Sequence, residues 1–377
     1  MIEKEKILEY HKGGIIGTEL KKEVKNRDEL SVAYTPGIAV VCEEIKKNPE
    51  KIYDYTNKRN SVAVITNGSA VLGLGNIGAE AGKPVMQGKA FLFKKFAGID
   101  AIDVLIDTQD KDEFVKTVNL ISKTYGGINL EDIKAPECFY IEEELKKNLN
   151  IPVFHDDQWG TAIVVCAGLL NALEIARKKI EDVKIVFSGA GAAGIACAKF
   201  LKKLGAKKIF MCDSKGVLYK GREMNEHKKE FAVDTEMRNL VDVIKDADVF
   251  IGVSCPNILN EKMLKSMAKN PIIFAMSNPV PEIDYETAKK TREDIIIATG
   301  RSDYPNQINN VLVFPFIFRG ALDAGAKKIS SKMMIFACRK IAEIARRKGL
   351  SRDYFIPDIF DRDLIEVAEE VKTAAES

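Results

Sequence analysis

At 377 residues and 46% hydrophobic content, the chain is long enough for two domains, each with its own core. Its 57 basic and 55 acidic residues nearly cancel, so composition gives no electrostatic reason to expect nucleic acid or an anionic membrane as a partner. No apolar run in the sequence approaches the roughly 20 residues a membrane helix needs, and the charged opening "MIEKEKILEYHKGG" has no signal-peptide core.

Residues 1 to about 60 read as short helices around the turn "AYTPGIAV". "SVAVITNGS" (61–69) and "AIDVLID" (101–107) read as strands, and "DEFVKTVNLISKTY" (112–125) has helical spacing. Between the two strands, Gly73, Gly75 and Gly78 of "AVLGLGNIGAE" form a G-x-G-x-x-G pattern. Gly82 and Pro84 follow it and argue against a sustained helix there. "GGINLEDI" ends a strand at Glu131 and Asp132, and "IPVFHDD" (151–157) runs into Asp156 and Asp157. The apolar helix candidate 160–179 then serves as a connector, dividing an N-terminal domain, 1–158, from a C-terminal domain, 159–377.

Beyond it the pattern is regular: "KIVFS", a glycine turn, a helix, "KKIFMCD", and then the short apolar runs 247–254, 271–279 and 294–300. Apolar runs that stop at polar, Gly or Pro residues are how buried parallel strands read, and their alternation with helices predicts an α/β doubly wound sheet. The stretch "KISSKMMIFACRKIAEIARRKG" reads as an amphipathic helix. Cysteines 42, 138, 166, 197, 212, 255 and 338 are odd in number and never spaced C-x-x-C, which suits reduced thiols in a cytoplasmic protein.

The second glycine motif, Gly189, Gly191 and Gly194, leaves a strand and opens a helix, so helix N–H groups can meet a pyrophosphate. Asp213 lies 19 residues after Gly194, where an acidic group holds a ribose hydroxyl. This is the expected dinucleotide site; the first motif is a tight turn or a pocket lining that faces Lys89. Asp213 favours NAD, whereas Lys215, Lys207 and Lys208 nearby suit the 2′-phosphate of NADP. The two acidic pairs sit at strand ends, where oxygen ligands suit Mg²⁺ or Mn²⁺, although a helix cap or surface charge fits the same residues. Lys89 lies among apolar residues, a setting that can depress an amine pKa and make a base, although an ordinary solvated lysine fits the same position.

The ordered set "YTPGIA", "NGSAVLGLGNIG", "PVMQGKAFLFKKFAGID", "GGINLEDI", "FHDDQWGTA", "GAGAAG", "MSNPVPE" and "GRSDYPNQINNVLVFP" resembles the malic enzyme family in its short bacterial and archaeal form, from about Tyr34 to about Phe318. The resemblance implies an N-terminal α/β catalytic domain and a C-terminal Rossmann-like domain. It implies metal-dependent oxidative decarboxylation of (S)-malate to pyruvate and CO₂ with reduction of NAD or NADP, and decarboxylation of oxaloacetate. It further implies a homodimer with no nucleic-acid or membrane partner, without the phosphotransacetylase-like domain of some bacterial members. By position, Tyr34 resembles the family's general acid and Lys89 its general base. Glu131, Asp132 and Asp157 resemble its Mg²⁺ or Mn²⁺ ligands, and the backbone at Ala190, Gly191, Ala192 and Ala193 its phosphate turn. Asn278 and Asn310, with Asn309 beside them, resemble residues near nicotinamide and substrate. Two positions depart: Ala70 stands where larger members carry a carboxylate-binding arginine, and Trp159 where Gln or His is more usual. Another dehydrogenase of the amino-acid-dehydrogenase-like class, or a non-catalytic nucleotide sensor, would share the glycine turn but would not need the three carboxylates, Lys89 and Tyr34.

Overall fold

The computed structural model describes residues 4–377. The first sheet contains β1 (Ser61–Thr66), β2 (Asp100–Leu105), β3 (Gly127–Leu130) and β4 (Val153–His155). All are parallel, in the order β2-β1-β3-β4. Every residue of β1 is buried, because helices cover both faces. Val62 and Val64 share a core with Met86 and Phe93 of the Ala79–Ala97 helix. The alternate residues Ala63 and Ile65 pack with Phe114, Val118 and Ile141 on the opposite side.

The second sheet contains β5 (Lys184–Ser188), β6 (Lys208–Asp213), β7 (Gly216–Val217), β8 (Val249–Gly252), β9 (Ile272–Ala275) and β10 (Ile296–Thr299). Its order is β10-β9-β8-β5-β6-β7, parallel except for β7, which runs antiparallel to β6. Both sheets reverse direction of winding beside their first strand, between β1 and β3 and between β5 and β8. Ligand crevices form at such switch points, outside the carboxyl ends of the strands.

Two sequence expectations fail here. Residues Ala79–Ala97 form one 19-residue helix with Pro84 inside it. Proline removes a single N–H, and the burial of Ala79, Gly82, Met86, Lys89, Ala90, Phe93 and Ala97 along one side outweighs that loss. The helical run Asp156–Ala176 is 21 residues long and contains an 18-residue window of mean hydropathy 1.6, enough by length and composition alone to cross a membrane. It is instead the central core helix: 72% of its apolar window is buried, and it packs on the Ala192–Lys203 and Ser331–Arg347 helices. The 158/159 division falls inside the π-helical turn Asp156–Gly160 that begins this run.

Aromatic rings tie the halves together. Phe93 meets Phe314 at 4.8 Å and Phe318 at 5.4 Å, edge to face, and Phe154 of β4 meets Phe318 at 6.0 Å. The N-terminal arm is different. Its helices Lys4–His11, Arg27–Ala33, Ile38–Lys47 and Ile52–Tyr55 bury no residue at all.

Candidate active site

A cleft of about 580 Å³ opens between the carboxyl ends of the two sheets. From the first half it takes Lys89, Glu131, Asp132 and Asp157, and from the second Ala193, Asn278, Asn309 and Asn310. Val253 and Ser254, just after β8, line both this cleft and a second cavity of about 550 Å³ that holds Gly189, Ala190, Gly191 and Asp213. The two cavities therefore adjoin across the β5–β8 switch point.

Glu131 and Asp132 follow β3 directly, and Asp157 lies just past β4, so the pairing of these two strands brings the three carboxylates together. One oxygen from each lies within 4.8 Å of the others. Asp132 adopts a left-handed backbone, φ 54°, and its N–H donates to Asp157 Oδ2 at 2.8 Å. Asn129 Nδ2 donates to Glu131 Oε2 at 3.0 Å. Asp132 Oδ2 is buried with no hydrogen-bond partner among the described residues. Burial and mutual repulsion push the carboxyls up, Asp132 to about 9, Glu131 to about 7 and Asp157 to about 6. A buried acceptor cluster of this kind, short of donors, fits a hard divalent cation.

Lys89 lies on the buried face of the Ala79–Ala97 helix. Its ammonium pairs with Asp156, stands 3.1 Å from Glu131, donates to Asn310 Oδ1 at 3.3 Å and sits 4.3 Å above the Phe314 ring. The sequence suggested a depressed amine pKa. Burial does act in that direction, but Asp156 and Glu131 outweigh it, and the net shift is upward. Asp156 does not cap the helix that follows; His155 Nδ1 accepts the Gln158 N–H instead, at 3.3 Å.

At the phosphate turn the three glycines have different reasons to be glycine. A Cβ on Gly194 would lie 2.1 Å from the Gly189 carbonyl, and one on Gly189, where φ is 117°, would lie 2.7 Å from that of Val253. A Cβ on Gly191 would meet nothing within 4 Å. That position is open toward the cavity rather than packed. Ala192 begins the helix whose N-terminus faces it. Asp213 ends β6, but its carboxylate is already engaged: Arg222 Nη2 bonds both oxygens at 2.6 Å and Lys228 Nζ donates at 2.7 Å. Of the lysines suggested from sequence, Lys208 starts β6 at the opposite end from Asp213 and donates to the Asp182 carbonyl, so it cannot serve a ribose there.

The first glycine motif is a small hairpin, Val71 bridged to Gly75, which follows β1 after a short loop. Leu72 and Gly73 line the cleft, and a Cβ on Gly73 would come within 2.7 Å of the Asn278 carbonyl from the other half. The motif is thus a lip of the cleft shared with Lys89. Asn309 lines the cleft too, although its Oδ1 accepts the Val311 N–H at 3.0 Å. Tyr34 is not brought into the cleft within one chain; it is 68% exposed on the N-terminal arm.

Sequence reasoning missed Arg222, Lys228, Asn129 and the ion pair of Asp156 with Lys89. Asn129 was accessible in principle, since residues two apart on a strand share a face. Arg222, in the loop after β7, and Lys228, on the short Glu226–Lys229 helix, reach Asp213 by a path that no spacing rule describes.

The chain matches the malic enzyme N-terminal domain over residues 15–146 and the malic enzyme NAD-binding domain over 159–376. It is 52% identical to the NADP-dependent malic enzyme of Escherichia coli, over 99% of this chain and 52% of that one. The chain thus spans about half the length of the first curated relatives it matches. It is 53% identical to the bifunctional malic/malolactic enzyme of Bacillus subtilis, over 99% of this chain and 93% of that one. The crystal structure of the NAD-dependent malic enzyme from Thermotoga maritima superposes with a TM-score of 0.92 at 44% identity, covering 100% of both chains. Two domain matches that together take in most of the sequence, and identity above one half along nearly the whole of the Bacillus relative, establish that the chain belongs to the malic enzyme family.

Proposed function

We propose that this protein oxidatively decarboxylates (S)-malate to pyruvate and CO₂, reducing NAD⁺ or NADP⁺, and also decarboxylates oxaloacetate. The observation that carries the reading is the setting of Lys89. Its ammonium is held by Asp156, Glu131 and Asn310 beside a cluster of three carboxylates, in a cleft that adjoins the phosphate turn. Glu131, Asp132 and Asp157 would hold Mg²⁺ or Mn²⁺, and the Gly189–Gly194 turn with Asp213 would hold the dinucleotide. Bound there, the cation supplies Lewis-acid polarisation of the substrate's C2 oxygen and the dinucleotide accepts the hydride.

Lys89 removes the C2 hydroxyl proton as the hydride leaves C2. It becomes competent as a base when the negative field of its carboxylate neighbours is neutralised, because that field is what holds its proton. Asn310 keeps the amine aimed into the cleft, and Asn278 lines the cleft from the other half, its carbonyl against Gly73. After CO₂ departs, Tyr34 delivers a proton to C3, and Lys89 returns the proton it took from the C2 hydroxyl to the Tyr34 phenolate, so both groups end as they began. Tyr34 is exposed, and so are Leu20, Val32 and Val40 on the same arm. This supports a homodimer in which the arm packs on a second copy and brings Tyr34 to that copy's cleft. Two domains, 1–158 for substrate and metal and 159–377 for the dinucleotide, then share the work, in a chain whose cysteines are all unpaired, as suits the cytoplasm.

The test is malate oxidation by the purified chain with and without Mn²⁺, followed as dinucleotide reduction, alongside Lys89→Ala. Metal-dependent turnover in the wild type and none in Lys89→Ala is the expected result. Turnover that survives metal removal, or persists in Lys89→Ala, overturns the reading.

A further inference from the structure

The turn that carries Asp156 and Asp157 is held from behind by a carboxylate that does not touch the cleft. Glu142 lies on the Glu137–Asn148 helix and is 5% exposed. Its oxygens take the His155 N–H at 3.2 Å, Gln158 Nε2 at 3.2 Å and the Trp159 indole N–H at 3.0 Å, and Lys146 Nζ stands 2.6 Å away. Three of these four donors come from residues 155–159, the stretch that encloses both aspartates. A carboxylate only accepts hydrogen bonds, so all of its capacity here is spent on this one turn and its lysine.

The His155 ring continues the arrangement. Nδ1 accepts the Gln158 N–H, which assigns the ring hydrogen to Nε2. Nε2 is buried, has no partner among the described residues and lies 3.9 Å from Asp157 Oδ2. That same oxygen receives the Asp132 N–H. The Asp132 N–H therefore fixes one edge of the Asp157 carboxylate, with the His155 ring packed beyond hydrogen-bond distance of it. Trp159 keeps an N–H donor aimed at Glu142.

We propose that Glu142 is a positioning residue of the metal centre, acting through the His155–Trp159 turn to set where Asp157 presents its carboxylate and where Asp156 meets Lys89. The proposal rests on the reading of Glu131, Asp132 and Asp157 as a cation site. Outer partners of this kind commonly change metal affinity by about 10–100-fold when removed.

The experiment is Mn²⁺ titration by electron paramagnetic resonance on the full chain, for the wild type, Glu142→Gln and Trp159→Phe, with dinucleotide affinity and thermal unfolding measured in parallel. Glu142→Gln turns an amide N–H₂ toward donors, and it is expected to weaken Mn²⁺ binding by about 10–100-fold while dinucleotide affinity stays at the wild-type value. Excess Mn²⁺ should restore part of its turnover. Trp159→Phe keeps an aromatic ring, smaller than the indole, and removes one donor, so it should shift Mn²⁺ affinity in the same direction by less; it carries the test if Glu142→Gln does not fold. Wild-type Mn²⁺ affinity in the folded variant, with only a lowered unfolding temperature, would make Glu142 purely structural and overturn the proposal. A wild type that binds no Mn²⁺ would overturn the cation site itself, and this inference with it.

Discussion

The three glycines of the phosphate turn look alike in sequence and differ in physics. Gly194 and Gly189 are glycines because backbone carbonyls stand where a Cβ would be. Gly191 has open space and an extended backbone, φ −89° and ψ −159°, that any residue adopts. Its side must stay clear for something the chain itself does not supply. Gly194→Ala should therefore lower stability by about 1–3 kcal/mol, the usual cost of overpacking. Gly191→Val should unfold at the wild-type temperature and yet raise the dinucleotide Kd strongly. Thermal unfolding and fluorescence titration of both variants check this, and a Gly191→Val protein that binds dinucleotide normally would remove the turn from the cofactor site. The motif and Asp213 were legible in the sequence because strand, turn and helix are contiguous there. The partners of Asp213 were not, because Arg222 and Lys228 arrive from a loop and the short Glu226–Lys229 helix, whose path depends on the finished sheet. Lys89 was legible as a position, but the direction of its pKa shift depended on Asp156 and Glu131, distant in sequence and close only after folding.

Most strands and the doubly wound class were readable from apolar runs and their alternation with helices; the order within each sheet and the two-residue β7 were not. The Ala79–Ala97 helix was not, since the breakers Gly82 and Pro84 are local and the burial that overrides them is tertiary. Pro84 is exposed on that helix and lacks the N–H that would bond the Glu80 carbonyl. Interior proline costs about 3 kcal/mol against alanine in a helix, and its stiffening of the unfolded chain returns about 0.4–1 kcal/mol. Pro84→Ala should thus raise stability by about 2–2.6 kcal/mol, measured by chemical denaturation. A destabilised variant would mean that the ring itself packs on something essential. The helix also carries Lys89, so this substitution asks whether the proline tunes how the base is held. Unchanged malate kinetics in a stabilised variant would separate the two roles.

At the scale of the molecule the most informative feature is an arm whose four helices leave no residue fully buried within the chain. If Tyr34 serves the cleft of a second copy, Tyr34→Phe and Lys89→Ala proteins, each defective alone, should regain activity when unfolded together and refolded as a mixture. A mixed dimer then contains one cleft with an intact lysine from one chain and an intact tyrosine from the other. No recovery from a mixture proven to contain mixed dimers would place Tyr34 in its own chain's cleft. The Asp156–Ala176 run has a different implication, for modularity. Its first turn supplies Asp157 to the carboxylate cluster, and its body is the core of the nucleotide half. The two halves therefore share a structural element, and no cut along that helix leaves both intact. A chimera meant to exchange cofactor preference has to be joined after Val183, just before β5, so that the graft carries the glycine turn and Asp213 while the recipient keeps its own helix. A joint at the 158/159 position would instead import a foreign core into the recipient's metal centre, and the graft would inherit two chemistries where only one was intended.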